Sequence, residues 1–217
     1  MSARVVRALL LLLAVSACSR GATVPPPAPL PAPAPRDRSV GGPAAAAPTP
    51  RPEYHSPRDA AITDEDLDQL WARQIMLPVE GLSRRALRDD FSAKRGDRIH
   101  GALDLLAPRY TAVLAADDCV IGRLFTGPVG GIVIYATDLS DRFVYYYAHL
   151  HRYRRGLAVG DTVAKGSVIG YVGTTGNAPP GTPHLHFQIM KRGAGRVWWD
   201  GPPINPLPFF AADGVRF

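Results

Sequence analysis

The sequence predicts an all-β domain of twisted antiparallel sheets, preceded by a short helix and by a disordered tether rich in proline and alanine. Three observations support this fold class. Between residues 96 and 217, short runs of β-branched and aromatic residues alternate with Gly, Pro and Asp. Residues 58–95 contain one run with helical spacing, and residues 18–57 show no apolar periodicity. These changes in composition set the predicted domain boundaries.

Residues 1–17 have the pattern of a secretory signal peptide. Arg4 and Arg7 precede a short apolar run, and small residues stand just before Cys18. The run is shorter than the about 20 apolar residues that a membrane-spanning helix needs. The ending Val-Ser-Ala-Cys resembles the bacterial lipoprotein box, which implies that Cys18 becomes a lipid-modified N-terminus and anchors the chain to a membrane. The alternative is an ordinary cleaved signal peptide that leaves Cys18 as an unmodified thiol.

The residues after Cys18 suggest where the protein resides. Ser19, rather than aspartate, follows the cysteine, which indicates sorting to the outer membrane in a two-membrane cell. We therefore expect a cell-envelope protein, lipid-anchored on the periplasmic face of the outer membrane. Residues 18–57 are the predicted tether, because proline and alanine dominate there and such a segment cannot bury a core. At roughly 3.1 Å per residue it reaches on the order of 120 Å.

Residues 58–95 form a helical lead-in to the β domain. Thr63 is a suitable N-cap, and acidic residues follow it in the first turn. Apolar residues then recur at helical spacing from Leu67 to Ile75, until Pro78 ends the run. This apolar stripe predicts that the helix packs on the following domain.

The β domain, residues 96–217, contains five runs that predict strands. They are Thr111–Ala115, Val120–Phe125, Ile132–Thr137, Phe143–His149 and Val168–Val172. If Cys18 is lipidated, Cys119 has no partner for an internal disulfide. We expect Cys119 to be a semi-buried residue at the start of a strand.

A sixth alternating run carries two histidines. Read as a strand, it sends His184, His186 and Gln188 to one face and apolar residues to the other. Upstream, His100 and Asp104 stand four residues apart. Two imidazoles and one carboxylate make a three-ligand site with an open position for water, which is the usual composition of a catalytic zinc site. The sequence therefore predicts that one strand histidine joins His100 and Asp104 around a metal ion.

Three blocks in this order resemble the lysostaphin-like (LytM-type) zinc endopeptidases, which cut peptidoglycan cross-links. The blocks are His100-Gly-Ala-Leu-Asp104 with the following Ala-Pro, Tyr147-Ala-His149-Leu, and His184-Leu-His186-Phe. The resemblance implies that His100, Asp104 and His186 bind one Zn²⁺ ion in a groove of the β domain. It implies that His149 and His184 line this site as catalytic residues. Spacing alone does not separate His149 from His151.

The resemblance implies a zinc metalloendopeptidase acting on peptide cross-links of bacterial peptidoglycan. The alternative is a non-catalytic LytM-type module that binds the cell wall or activates an amidase. A third interpretation is a biotinyl or lipoyl carrier hairpin around Lys165. The residues that usually stand beside the modified lysine of such domains are absent from this sequence. The loop over residues 173–181 is expected to form a wall of the cleft.

Charge gives no sign of a nucleic-acid partner. The formal net charge is +6, and no basic run is interleaved with aromatic residues. The expected partners are therefore peptidoglycan peptides and, through the N-terminal lipid, a membrane. Whether a protein regulator covers the groove is left open by the sequence.

Overall fold

A computed structural model describes residue 59 and residues 61–210 of the chain. The predicted signal peptide, Cys18 and the predicted tether lie outside the described residues. The described part contains one α-helix, α1 (Asp64–Arg73), and eleven strands. The strands are β1 (Lys94–Arg95), β2 (Arg98–Ile99), β3 (Leu103–Leu106), β4 (Ala112–Leu114), β5 (Cys119–Gly127), β6 (Gly131–Asp138), β7 (Phe143–Tyr153), β8 (Thr162–Val163), β9 (Val168–Val172), β10 (His184–Lys191) and β11 (Pro203–Ile204). Short 3₁₀ turns occur at Arg84–Ala86, Gly195–Val197 and Leu207–Phe209. Within this part of the chain, the predicted antiparallel β domain preceded by a short helix is confirmed.

Helix α1 begins where the sequence predicts and ends earlier. Thr63 and Asp66 form a reciprocal capping box at its start. The helix ends at Arg73, because Gln74 adopts a left-handed conformation (φ 47°) and its N–H bonds to the carbonyl of Trp71. Ile75, placed within the helix by the periodicity, instead pairs with Phe210 in an isolated β-bridge. A local capping bond and a long-range pairing thus outweigh the apolar spacing after Arg73.

Buried ion pairs fasten both ends of α1 to the β domain. Asp66 is fully buried, and it accepts hydrogen bonds from Arg142 Nε at 2.6 Å and from Lys191 Nζ at 3.0 Å. At the other end, Arg73 forms an ion pair with Asp138 at 2.6 Å. The lead-in is therefore packed on the same core as the strands.

Lys165 also serves this attachment. Its Nζ donates to the carbonyl of Arg73 at 2.7 Å and lies 3.7 Å from the carboxylate of Asp117. The side chain is only 14% exposed. A carrier-domain lysine must be displayed to its modifying enzyme, so this setting argues against the carrier interpretation.

Nine of the described strands form one antiparallel sheet, and β1 and β2 form a separate hairpin. The main path runs β11-β10-β7-β6-β5-β8; β3 also pairs with β10, and β9 joins β4 to β7. The β1–β2 hairpin spans the boundary predicted between residues 95 and 96. β10 lies between β3 and β7, and this position brings distant parts of the chain together at its polar face.

The core lies on the other face of β10. Leu185, Phe187 and Ile189 are fully buried there, as their alternation predicts. Cys119 opens β5 but is completely buried rather than semi-buried. Burial raises the pKa of its thiol to about 12, so this thiol stays protonated. Within residues 61–210, no helix has the length and apolar character to cross a membrane.

Candidate metal centre and its groove

The pairing of β3 and β7 with β10 positions the residues of the centre around His186. His186 stands directly opposite Asp104 of β3 on one side and Ala148 of β7 on the other. Directly opposed residues point to the same face of a sheet. The Asp104 carboxylate and the His186 imidazole are thereby brought together, although they lie far apart in the sequence.

His100 is placed by a tight turn after β2. Its N–H donates to the carbonyl of Ala93 at 2.8 Å, and the following Gly101 has a positive φ of 70°. His100 Nε2 lies 3.1 Å from Asp104 Oδ1 and 3.1 Å from His186 Nδ1. The third side, from His186 Nδ1 to Asp104 Oδ1, is also 3.1 Å. Three donor atoms thus form an equilateral triangle.

This triangle has the size and chemistry of a divalent metal site. Donor atoms about 2.0–2.2 Å from a tetrahedral Zn²⁺ ion lie roughly 3.3 Å from one another. Two imidazole nitrogens and one carboxylate oxygen are a donor set that zinc uses when it keeps a fourth position for water. The residues present therefore fit the metal that the sequence suggests.

Two residues that the sequence analysis did not identify hold the donors in place. The backbone carbonyl of Asp90 accepts a hydrogen bond from His100 Nδ1 at 3.1 Å, which leaves Nε2 as the donor atom in the triangle. Arg95 donates to Asp104 Oδ2 at 2.8 Å, so that Oδ1 alone faces the imidazoles. No spacing or periodicity could reveal either contact, because one is made by the backbone and the other by an exposed arginine.

The electrostatics of the triangle favour one added positive charge. Burial opposes the charged form of His100, but contacts with Asp104 and Asp90 outweigh burial and raise the pKa of His100 to about 9. Burial likewise opposes the charge of Asp104, yet hydrogen bonds with the two histidines hold the pKa of this carboxyl well below its usual range. Burial lowers the pKa of His186. Asp104 therefore stays ionised and stabilises a positive charge among the donor atoms, and a metal cation would supply such a charge.

A β-bulge directs His149 into the groove. In the pairing of β7 with β6, Tyr147 opposes Ile134 and Leu150 opposes Ile132, so β7 contains one extra residue at this point. His149 adopts a left-handed conformation with φ 60°, which is uncommon for a residue other than glycine. His151 instead packs against the ring of Tyr110, with ring centroids 4.5 Å apart. The bulge therefore separates two histidines that an unbroken strand would direct to one side.

His149 and His184 face each other beside the triangle. Their ring centroids are 5.0 Å apart, and each Nδ1 lies 2.8 Å from a backbone carbonyl, that of Thr175 or Thr182 respectively. A carbonyl can only accept, so each Nδ1 carries the hydrogen and Nε2 is left for the groove. Burial lowers the pKa of His149 to about 4. His149 is therefore neutral near pH 7, with a lone pair available on Nε2.

The centre lies in an open groove of about 790 Å³. Asn177, Ala178 and Pro179 line one part of it, which is the position predicted for this loop. Another part is lined by the rings of Tyr135, Tyr146 and Trp199. The structure thus gathers all five predicted histidine and aspartate residues in one groove; Cys18 lies outside the described residues.

Comparison with characterised proteins gives relatives that are named as endopeptidases. The chain is 33% identical over 130 residues to the L-Ala–D-Glu endopeptidase of Bacillus subtilis, covering 58% of this chain and 39% of that protein. It is 33% identical over 115 residues to the DD-carboxypeptidase/endopeptidase Mpg of Neisseria meningitidis serogroup B, covering 51% of this chain and 22% of that protein. The chain thus spans well under half the length of either relative.

Solved structures show the same fold. The catalytic domain of the prophage-encoded M23 protein EnpA from Enterococcus faecalis, in a mutant form, aligns with a TM-score of 0.50 at 22% identity, over 61% of this chain and 95% of that one. Lysostaphin from Staphylococcus simulans aligns with a TM-score of 0.50 at 24% identity, over 64% of this chain and 53% of that one.

The family assignment rests on the β domain. Residues 98–206, half of the chain, match the peptidase family M23. This range contains the three donor residues and both groove histidines. The resemblance to lysostaphin-like peptidases is confirmed at the family level: the chain belongs to peptidase family M23.

Proposed function

We propose that this protein is a zinc-dependent endopeptidase that hydrolyses peptide cross-links of bacterial peptidoglycan. The observation that carries the proposal is the triangle of His100 Nε2, Asp104 Oδ1 and His186 Nδ1, with 3.1 Å sides, in an open groove. The names of the two relatives, L-Ala–D-Glu endopeptidase and DD-carboxypeptidase/endopeptidase, specify peptide bonds of D-amino acids and support this substrate class. The complete set of donors favours an enzyme over the non-catalytic alternative.

The proposed metal ligands are His100, Asp104 and His186. A zinc ion bound there would lower the pKa of a bound water toward about 7 and polarise a carbonyl group. The chain's own contribution to the chemistry is proton transfer. His149 Nε2 accepts a proton from the attacking water as its oxygen bonds to the carbonyl carbon. The imidazole returns this proton to the leaving nitrogen as the C–N bond breaks.

His184 is the second proposed catalytic residue. Its Nε2 lies 3.7 Å from Asp104 Oδ1, and its ring faces His149 across the groove. From this position, the imidazole can orient the attacking water and stabilise charge on the carbonyl oxygen. No His-Glu-x-x-His helix is present in the sequence, so a histidine takes the role that the glutamate has in helical zinc proteases.

The activity is tested with purified peptidoglycan. We expect the full-length protein to reduce the amount of cross-linked muropeptides, and we expect a metal chelator to stop this reduction until zinc is restored. Mass analysis of the products identifies the bond that is cut. An unchanged muropeptide profile with zinc-loaded protein would reject the enzyme and leave the wall-binding or amidase-activating module.

The ligand assignment is tested by His186→Ala. Because this variant loses one of three donors, we expect both bound zinc and activity to disappear. Metal analysis of the purified variant gives the answer. Zinc at the wild-type stoichiometry would exclude His186 as a ligand.

The location of the enzyme is a further part of the proposal. The signal peptide, lipidated Cys18 and proline-rich tether would hold the peptidase domain on the periplasmic face of the outer membrane, within reach of the wall. This part is supported by the sequence of residues 1–57 alone.

A further inference from the structure

The β1–β2 hairpin forms a cationic rim beside the metal centre. It carries Lys94, Arg95 and Arg98, and its two strands are joined at Gly96 and Asp97. In its register, Arg95 stands directly opposite Arg98 and Lys94 opposite Ile99. Arg95 and Arg98 both line the groove, whereas Lys94 does not.

Two like charges in direct opposition destabilise a hairpin. Arg95 has a counter-ion, since it donates to Asp104 at 2.8 Å. Among the described residues, Arg98 forms no ion pair, and its neighbour Asp97 forms none with it. Arg98 is therefore a solvent-exposed guanidinium without a counter-ion among the described residues.

Arg98 is close to the site of the proposed reaction. It lies two residues before His100, so its Cα is within about 7 Å of the Cα of a proposed ligand. An extended peptide advances about 3.3–3.6 Å per residue. A group held by Arg98 would therefore belong to the peptide stretch in the groove, within a few residues of the bond that is cut.

We infer that Arg98 binds a carboxylate of the substrate peptide. This inference deepens the proposed function and rests on it. A guanidinium matches a carboxylate in two parallel hydrogen bonds, which gives directional recognition as well as attraction. The carboxylate is either the C-terminus of the peptide or a carboxylate branching from its backbone. Both present the same planar anion to Arg98.

Hydrolysis of three forms of one cross-linked stem-peptide dimer tests the inference. One form has all carboxylates free, one has only its C-terminal carboxylates amidated, and one has only its branching carboxylates amidated. The enzyme is the zinc-loaded full-length protein, and kcat/KM is measured for each form. We expect the wild type to lose about 10- to 100-fold in kcat/KM on one amidated form. The amidated form with the lower kcat/KM identifies which carboxylate Arg98 binds.

Arg98→Gln is the decisive variant. It should cleave the free form about 10- to 100-fold more slowly than the wild type and should treat the free and amidated forms alike. Lys94→Gln is the matched control, because it removes a cation from the same hairpin but outside the groove. It should behave as the wild type does. The zinc content of each variant is measured, so that a loss of metal is not mistaken for a loss of recognition.

The outcomes separate the two proposals. Cleavage of all three forms at equal rates by the wild type, or retained discrimination in Arg98→Gln, overturns the role of Arg98 and leaves the endopeptidase intact. Absence of cleavage of every form by zinc-loaded wild type overturns both. A parallel loss in Lys94→Gln would show that general positive charge, rather than Arg98, attracts the substrate.

Discussion

His149 has the least common backbone conformation among the groove residues. Its left-handed φ of 60° at a β-bulge costs energy that the surrounding pairing must supply. Its N–H bonds to the carbonyl of Gly130 at 2.8 Å, and its Nδ1 bonds to the carbonyl of Thr175 at 2.8 Å. The ring is therefore fixed through both its backbone and its side chain, as a proton acceptor must be to meet a water molecule at a set position.

His149 and His151 provide a matched pair for testing this role. In His149→Ala, the proposed proton acceptor is lost while the three donors stay in place. We therefore expect zinc content at the wild-type level and a fall in kcat of about 10²- to 10⁴-fold. His151→Ala removes an imidazole from the same strand that packs on Tyr110 outside the groove, and we expect near wild-type kcat.

Steady-state kinetics and metal analysis of the two variants decide the matter. Loss of zinc in His149→Ala would make this residue a ligand. Equal losses of kcat in both variants would show that the strand, rather than one imidazole, matters.

The strand period places His184 and His186 on one face and so predicted that a strand histidine is a donor; the choice of His186 came from the family resemblance. An alternating run fixes which face His186 occupies, and one directly opposed pair brings Asp104 to the same face. The position of His149 could not be predicted in this way, because a bulge breaks the period that such reasoning assumes. The contact of Arg95 with Asp104 depends on a hairpin of two-residue strands, which have no periodicity to detect.

At the level of elements, α1 depends on a buried carboxylate. Asp66 is completely buried, caps the helix with Thr63, and forms ion pairs with Arg142 and Lys191. Burial opposes its charge, but these hydrogen bonds hold the pKa of Asp66 well below its usual range. In the unfolded chain the pKa returns to about 3.9. The folded state thus binds fewer protons, and Asp66 contributes stability above about pH 4 that is lost as the pH falls through the folded value.

The variant Asp66→Asn tests whether the charge of Asp66 makes the stability depend on pH in this way. At pH 7 we expect the free energy of unfolding to fall by about 2 kcal/mol, because a charged acceptor with two cationic partners becomes neutral. At pH 3 the difference in free energy of unfolding between variant and wild type should shrink by about 1 kcal/mol. At this pH, Asp66 is protonated in the unfolded wild type but still ionised in the folded protein, and this difference lowers the stability of the wild type.

Urea unfolding at both pH values measures these differences. Glu80→Gln is the control, since Glu80 is exposed and forms no ion pair within the described residues, and it should change stability little at either pH. A difference for Asp66→Asn that is the same at pH 7 and pH 3 would show that Asp66 acts through packing rather than through its charge.

Long strands could be predicted from the sequence more readily than short ones. The runs that became β5, β6 and β7 have enough alternating or aromatic residues to identify them, although β7 continues to Tyr153, beyond the predicted His149. β1, β2, β8 and β11 have two residues each and exist only because a neighbouring strand pairs with them. Helix α1 was predicted from its Thr63 N-cap, its acidic first turn and its apolar spacing, and its end is set by the cap at Gln74 and the pairing of Ile75.

At the level of the whole molecule, the sequence joins a peptidase domain to a proposed lipid anchor. A single acyl chain binds a membrane only marginally, whereas several chains hold a protein firmly, at about 0.8 kcal/mol per buried CH₂. A firm anchor and a tether on the order of 120 Å would confine the groove to the zone between the membrane and the wall. Without Arg4 and Arg7 of the signal peptide, the formal net charge of +6 falls to +4, and this excess would add weak attraction to anionic wall polymers.

Cys18→Ser tests this anchor in the full-length protein. In a bacterial host supplied with labelled palmitate, we expect the wild type to carry the label and to fractionate with membranes. Since serine cannot form the thioether of a lipoprotein, the variant should carry no label and should appear in the soluble fraction. Cys119→Ala is the matched control, because it removes the other cysteine, which is buried and protonated. It should keep both label and membrane attachment. Label that persists in Cys18→Ser would reject lipidation at this residue, and the groove would then have to reach the wall without a membrane anchor at Cys18.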